Sequence, residues 1–381
     1  MGGVAALLAA WWAASRLLST LITVLPMPIF IDVSPDGRVV TVVAIASVMS
    51  TLMFALGPAW KLSRPNLVTT LKQSAPIGAT QARRVGLQTI LVGAQVALSV
   101  ALLISAGVFL RASVRAASTD PGFPLKGGLL AEISASMVGQ GEVRGRATYA
   151  AILDRVRGLG AVDSASVASI VPFGVTNLSR QVTRGATATS ATFTVVGADY
   201  FAALGLPVVA GREFSVSEEQ NAAAEPVAIV DQILASRLFA GESPLGQSIR
   251  LSARDQPEEL VRIVGVVAAV RDDVLSPPEA HVYVPFGRHY QGEMTLHVRT
   301  ADGSEKSMLE PVRAAIQSVD ARLPVLSLKT MTTHRDVTPS LWAVTFAARL
   351  FVAFGIIALV LATAGVYGLR AYLVTQRRRE I

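Results

Sequence analysis

The run from Leu350 to Leu369 constrains this chain more than any other stretch, because it holds 20 residues without one charge. A helix rises about 1.5 Å per residue, so a run of about 20 crosses the ~30 Å hydrocarbon core of a bilayer. Arg349 precedes the run, and Arg370 and then Arg377, Arg378 and Arg379 follow it. Basic clusters of this kind mark the cytoplasmic end of a span. Three more apolar runs lie at about 2–25, 39–60 and 86–111. The pattern predicts a multi-pass α-helical membrane protein with one large polar region, residues 112–340, before the last span, 341–375.

The first run is a poor secretory signal, since no Lys or Arg precedes its apolar stretch. It reads as a membrane helix with Trp11, Trp12 and Arg16 toward an interface, and a cleaved or marginal segment is the alternative. Pro26 and Pro28 end it, because proline lacks the amide donor and clashes with the preceding turn. Residues 61–85 carry Lys61, Arg64, Lys72, Arg83 and Arg84 and no acidic residue. That places the connection on the cytoplasmic side; a basic loop lying on anionic lipid has the same orientation. With cytoplasm before the third span and after the fourth, the polar region lies outside. In the third run Gly93, Ala97, Ala101 and Ser105 recur every four residues, and Ala358 and Ala362, like Ala364 and Gly368, give the fourth a small face. Small faces let helices approach closely, so these two spans are expected to pack together.

A formal net charge of +7 invites a nucleic-acid partner, but its distribution argues against one. Between Ser113 and Ser340 there are 21 Lys and Arg against 24 Asp and Glu; the rest of the chain has 13 against 3. The basicity belongs to the edges of the apolar runs and is a signal of topology, with no phosphate-binding patch. The chain has no Cys, which excludes a disulfide scaffold and a Cys-ligated metal.

The polar region reads as mixed α and β. Strands are expected at 127–137, 165–171, 192–196, 227–230, 249–251, 262–270, 282–285, 294–299 and 323–328. Helices are expected at 141–159, 198–204, 231–239 and 304–319, with Asp231 as an N-cap. In the first of these helices Ala147, Ala150, Ile152 and Val156 are the expected inward positions. The outer parts, about 127–171 and 294–331, look like two β-α-β units, and 176–286 is inserted between them.

Signs of chemistry are few. The sequence has no G-x-x-x-x-G-K-[ST] loop to cradle nucleotide phosphates and no G-x-S-x-G elbow. His334-Arg335-Asp336 matches the letters of a kinase catalytic triplet without its companions. The four histidines, His281, His289, His297 and His334, lack metal-ligand spacing. Asp272-Asp273 reads as a solvated turn, Glu218-Glu219 as a solvated helix start, and His297 as a strand face residue. No catalytic, cofactor or metal residue is expected.

Several ordered stretches carry a family resemblance. They are Asp120-Pro-Gly-Phe123; Tyr200-Phe201, Leu204-Gly-Leu-Pro207 and Gly211-Arg-Glu-Phe214; Val227-Ala-Ile-Val230, Arg237-Leu-Phe239 and Pro244-Leu-Gly246; Ile263-Val-Gly-Val-Val267 with Val270-Arg271; Val282-Tyr-Val-Pro-Phe286; and Ala364-Gly-Val-Tyr-Gly368 ending in Gln376 to Ile381. Together they resemble the permease subunits of MacB/FtsX-type ABC transporters, in particular the duplicated orphan permeases, over nearly the whole chain. The resemblance implies a large extracytoplasmic α+β domain of the MacB-like periplasmic core type. It implies that residues 1–60 are the end of one permease repeat and that 86–381 are the first half of the next, so that the chain is a fragment or its gene model is incomplete. Arg377, Arg378, Arg379, Glu380 and Ile381 then begin a cytoplasmic coupling helix.

The implied partners are a cytoplasmic ABC ATPase subunit, the lipid bilayer and a second permease repeat or a homodimer. The implied setting is the bacterial inner membrane, and the implied mechanism passes ATP hydrolysis to the outer domain by movement of the spans, for export. The alternative is a membrane-tethered binding or sensor module without transport. A membrane-anchored enzyme would need convergent catalytic groups in the outer domain, and the sequence shows none.

Overall fold

A computed structural model describes residue 11 and residues 37–62, 87–174, 178–253 and 256–377. Two compact units divide the chain, Met1–Leu103 with Ala353–Ile381 and Ile104–Val352. The expected span at 2–25 and nearly all of the basic connection at 61–85 lie outside the described residues.

Three long helices carry the apolar runs. They are α1 (Gly37–Leu62), α2 (Leu87–Ala117) and α9 (Pro339–Arg377). Among the described residues, Val92–Ala117 and Pro339–Gly368 are long and apolar enough to cross a membrane. In the first unit α2 and α9 touch through glycines. A Cβ on Gly355 would come within 3.0 Å of Leu103 Cδ2, and one on Gly365 within 3.4 Å of Gln95 Oε1. Ala362 is buried and Ala358 half-buried on α9.

On α2 the pattern misses the covered face. Ser99 and Ala106 are buried, whereas Gly93, Ala97 and Ala101 are exposed and Ser105 is half-buried; Ala364 and Gly368 on α9 are exposed too. A helix turns 3.6 residues per revolution, so steps of four drift by about 40° each, and only the last member, Ser105, comes round to the half-covered side. In the second unit Phe109 stacks on Phe351 with ring centres 5.0 Å apart, and Ser113 Oγ lies 3.0 Å from Thr345 Oγ1.

The second unit is built on a split β-α-β pattern. Its elements are β1 (Gly128–Ser134), α3 (Glu142–Arg157), β2 (Val162–Ala168), β10 (Glu293–Thr300), α7 (Leu309–Val319) and β11 (Val325–Thr330). The strands lie in the order β11-β1-β10-β2, all neighbours antiparallel. Leu129, Ala131 and Ile133 face α3 and α7, while Leu130 faces a second apolar cluster with Phe173, Tyr200 and Phe201. Because both faces are covered, β1 is a nearly continuous apolar run. On α3 the inward side chains are Tyr149, Ile152, Leu153 and Val156, at helical spacing; Ala147 is exposed and Ala150 half-buried, contrary to the pattern reading.

Between β2 and β10 the chain forms β3 (Ser179–Arg184), β4 (Thr187–Val196), α4 (Tyr200–Leu204), β5 (Val208–Gly211), α5 (Val216–Gln220), β6 (Val227–Asp231), α6 (Gln232–Phe239), β7 (Ser248–Ala253), β8 (Gln256–Val267) and β9 (His281–Pro285). Six of these strands pair in the cycle β4-β3-β7-β8-β6-β9 and back to β4. Closing the ring leaves no free edge among them. A last short helix, α8 (Met331–Asp336), leads into α9.

The departures from the sequence reading have local causes. Strand β2 starts three residues before the expected 165, right after the turn at Gly158–Gly160, and Pro172 closes its exit. The helix expected from 304 starts at Leu309, because Gly303 takes a φ of 68° and turns occupy the residues after it. Strand β3 escapes notice because Val182 is its sole buried side chain.

Candidate functional site: the loop that holds both long helices

Strand β8 ends at Val267, and residues 268–280 form neither helix nor strand. This loop holds the exit of α2. The amide of Arg271 donates to Pro121 O at 3.1 Å. Gly122 has a φ of 90°, and a Cβ there would sit 2.7 Å from Ala269 O, so only glycine allows this approach. Asp120 Oδ1 accepts the Gly122 amide at 2.9 Å and shapes the turn. Phe123 is buried beside Phe173, whose own amide donates to Asp272 O at 2.9 Å.

The same loop holds the start of α9. Ser340 Oγ, in the first turn of that helix, donates to Asp273 Oδ1. Ser276 Oγ donates to Asp273 Oδ2 at 2.7 Å, and Arg271 Nη1 donates to Ser276 O. Burial would raise the Asp273 pKa, but the two hydroxyls and the amides of Leu275 and Val274 outweigh it and hold the carboxyl below its ordinary value. Arg335 of α8 adds a third tie, donating to Ala117 O at 3.3 Å while its guanidinium pairs with Asp336 at 2.6 Å. His334 Nε2 lies 3.0 Å from Pro172 O.

From the loop a polar path continues into the ring of strands. Asp272 Oδ2 is 3.0 Å from His281 Nε2. His281 is buried and stacks on Tyr283 at 5.7 Å. Burial alone would lower its pKa; hydrogen bonding and charge from Asp272, with Asp231, overcome that and raise it, which favours the imidazolium. The amide of His281 donates to Asp231 Oδ1 at 3.1 Å, and the same oxygen caps α6 by accepting the Leu234 amide at 2.8 Å. The expected N-cap role of Asp231 is thus met, and the residue has a second duty. Burial raises the pKa of Asp231 against these hydrogen bonds.

Asp272 and Asp273 are therefore not a solvated turn. They join the sheet to α9, and they line a cavity of about 290 Å³ with Glu279, Thr338 and Ser340. The sequence signals were the acidic doublet directly after an apolar strand and the Asp120-Pro-Gly-Phe123 turn. The partner serines, Ser276 and Ser340, gave no signal of their own. Two hydrogen bonds fix the two helix ends to the loop, and a third joins α8 to the end of α2.

Glu218 and Glu219 also correct the sequence reading. They begin a helix, but both are buried. Glu218 receives two guanidinium bonds from Arg212 at 2.8 Å and closes a capping box with Ser215. The Arg212 hydrogen bonds, against an opposing effect of burial, bring its pKa to about 2. Burial pushes Glu219 up to about 7, with Arg157 opposing. Glu219 borders a cavity of about 180 Å³ between α3 and α5, with Arg146, Tyr149 and Phe286. His297 is fully buried against Tyr200 at 5.1 Å, and burial drops its pKa to about 3. Among the described residues no group of His, Cys, Asp and Glu could hold a metal. Arg377 ends α9, while Arg378, Arg379, Glu380 and Ile381 lie outside the described residues.

Comparison with known proteins assigns this architecture. The family profile of the MacB-like periplasmic core domain matches residues 89–319. A curated relative, the macrolide export ATP-binding/permease protein MacB 2 of Aeromonas hydrophila subsp. hydrophila, is 28% identical over 195 residues. The match takes in 49% of this chain and 28% of that protein, so the chain spans under a third of the relative's length. Solved structures with some likeness include the periplasmic region of MacB from Actinobacillus actinomycetemcomitans, at 18% identity, 56% of this chain, 92% of that one and a TM-score of 0.36. The extracellular domain of the noncanonic ABC-type transporter YknZ from Gram-positive bacteria has 15% identity, 52% and 100% coverage and a TM-score of 0.36. A domain of a putative permease from Porphyromonas gingivalis has 13% identity, 55% and 92% coverage and a TM-score of 0.35. The family profile covers more than half the chain, and on that ground the chain belongs to the MacB-type ABC transporter permeases that carry a MacB-like periplasmic core domain.

Proposed function

We propose that this chain is the permease part of a machine in which a separate cytoplasmic ABC ATPase drives the outer domain through α2 and α9. The observation that carries the reading is the double grip of one loop. Arg271 and Ala269 hold the exit of α2, and Asp273 holds the first turn of α9. A shift of either helix along its axis must strain that loop, and strain at packed, hydrogen-bonded joints passes on as rigid-body motion. The work supports export of a client or actuation of a partner protein. The setting on this reading is the bacterial inner membrane, crossed several times, with the α/β unit extracytoplasmic. Arg377, Arg378, Arg379, Glu380 and Ile381 start the element that meets the ATPase. A second permease repeat or a second copy completes the membrane part.

Two experiments test this. A topology reporter fused at Ala79 reads cytoplasmic and one at Asn221 extracytoplasmic; the reverse pattern refutes the layout. Affinity purification of the full-length protein from membranes brings an ABC ATPase with it. Recovery with no ATPase under any nucleotide condition refutes the coupling and leaves a tethered binding module.

A further inference from the structure

A groove on α2 has no part in the loop joint. It is lined by Gly107, Leu110, Arg111, Val114, Arg115 and Ser118 and holds about 530 Å³. Arg111 and Arg115 are one helical turn apart, so their guanidinium groups share a face. Neither has a carboxylate partner among the described residues. Leu110 and Val114 beside them are 54% and 63% exposed. Unpaired cations alternating with bare aliphatic side chains suit an occupant that is anionic at one end and hydrocarbon at the other.

The depth of the groove agrees with this. The apolar segment Val92–Ala117 has 26 residues. At about 1.5 Å per residue that is roughly 39 Å, some 9 Å more than the hydrocarbon core, so its last turns emerge among the headgroups. Ser113 stands level with Thr345 of α9, where their hydroxyls are 3.0 Å apart. Trp342 and Phe346, stacked at 5.2 Å, flank that level. Tryptophan, with its amphipathic ring, marks a membrane–water boundary. Arginines at the end of a span that faces away from the cytoplasm also run against the usual charge bias, so a specific partner must account for them.

We propose that this groove binds the headgroup of an anionic phospholipid in the leaflet on the side of the α/β unit. Arg111 and Arg115 clasp the phosphate, which guanidinium groups match in geometry as well as charge. Leu110 and Val114 lie along the first acyl carbons. The site would steady the end of α2 next to the turn at Asp120–Phe123. The inference rests on α2 crossing the membrane.

The test uses the full chain, purified with its membrane partners and placed in phosphatidylcholine nanodiscs. Native mass spectrometry then follows competition between short-chain phosphatidylglycerol and short-chain phosphatidylcholine, with inorganic phosphate as a separate competitor. Each arginine near an anionic lipid contributes about fivefold in affinity, so the pair gives a preference for phosphatidylglycerol of roughly 25-fold. The double variant R111Q/R115Q loses that preference, and R111K/R115K keeps the part that charge alone supplies, which separates charge from misfolding. Equal retention of both lipids by the wild type, or an unchanged preference in the glutamine variant, overturns the proposal. So does displacement of the lipid by millimolar phosphate, or cross-linking of a cysteine at position 111 to a second chain in lipid free of anionic species. Alkaline extraction of native membranes is run in parallel. Release of the protein there refutes the membrane span itself, whereas retention without lipid preference refutes this site alone.

Discussion

Glu219 offers a prediction whose size follows from the structure. Its side chain is 4% exposed, and burial raises its pKa from 4.5 to about 7. Arg157 opposes the shift, and Asp199 and Asp154 add to it. A carboxyl with a raised folded-state pKa binds its proton more tightly in the folded protein. Its contribution to stability is therefore fully present below pH 4.5 and is lost as pH rises to 7 and beyond. One pKa unit is 1.36 kcal/mol, so the loss across that window is about 3 kcal/mol. Glutamine keeps the shape, cannot ionise, and can offer its amide toward Ser166, whose Oγ has no hydrogen-bond partner. The variant E219Q should match the wild type in stability near pH 4.5 and exceed it by about 3 kcal/mol at pH 8.5. For a domain of this size that is a rise in Tm of about 6–12 °C. Thermal unfolding of the purified protein between pH 4.5 and 8.5 measures the difference. Parallel curves for the two proteins would show that the carboxyl ionises in its ordinary range and that the burial argument fails.

Further outcomes follow from other sites. The raised pKa of His281 means that its pairing with Asp272 adds stability below about pH 6.5, lost as pH rises through the folded-state value; in an E219Q background, H281Q should be most destabilising in acid, and a pH-independent deficit would refute the charge pairing. Gly211 has a φ of 79°, and a Cβ there would lie 2.3 Å from Val264 O. The change G211A should cost at least about 2 kcal/mol by denaturant titration, and a neutral effect would show that β5 is not where we place it. Ile152 is fully buried on α3, so I152A should cost about 2–5 kcal/mol, and a cost below about 1 would contradict its place in the core.

The sequence shows parts of the fold clearly and hides others, for physical reasons. Long apolar runs are visible because a helix that meets lipid has no polar face to break the pattern. The strands around Ile263 and Val282 are visible because both of their faces are buried, which leaves charge-free runs rich in β-branched residues. Strand β3 is not visible, since Val182 alone turns inward. Asp231 can be read as a cap from its place before a helix, but its bond to the His281 amide links residues 50 apart, and no local pattern encodes that. The joint between the loop and the two helix ends is the least legible part. Asp273 and Ser340 are 67 residues apart, and each alone resembles a solvent-exposed turn or helix start. What makes them a joint is the packing of the loop after β8 against both helix ends. The small-residue stripe on α2 shows the converse, where a clear pattern lies on an exposed face.

On the proposed function, the loop after β8 carries movement from the long helices to the α/β unit. The native chain has no cysteine, so one introduced at Val143, which is 85% exposed on α3, takes a single environment-sensitive dye. In the assembled complex with its ATPase, ATP should change the dye signal. Removing the tie with D273A/S340A should abolish that change while ATP hydrolysis continues. An ATP-dependent signal of undiminished size in the double variant would contradict the account.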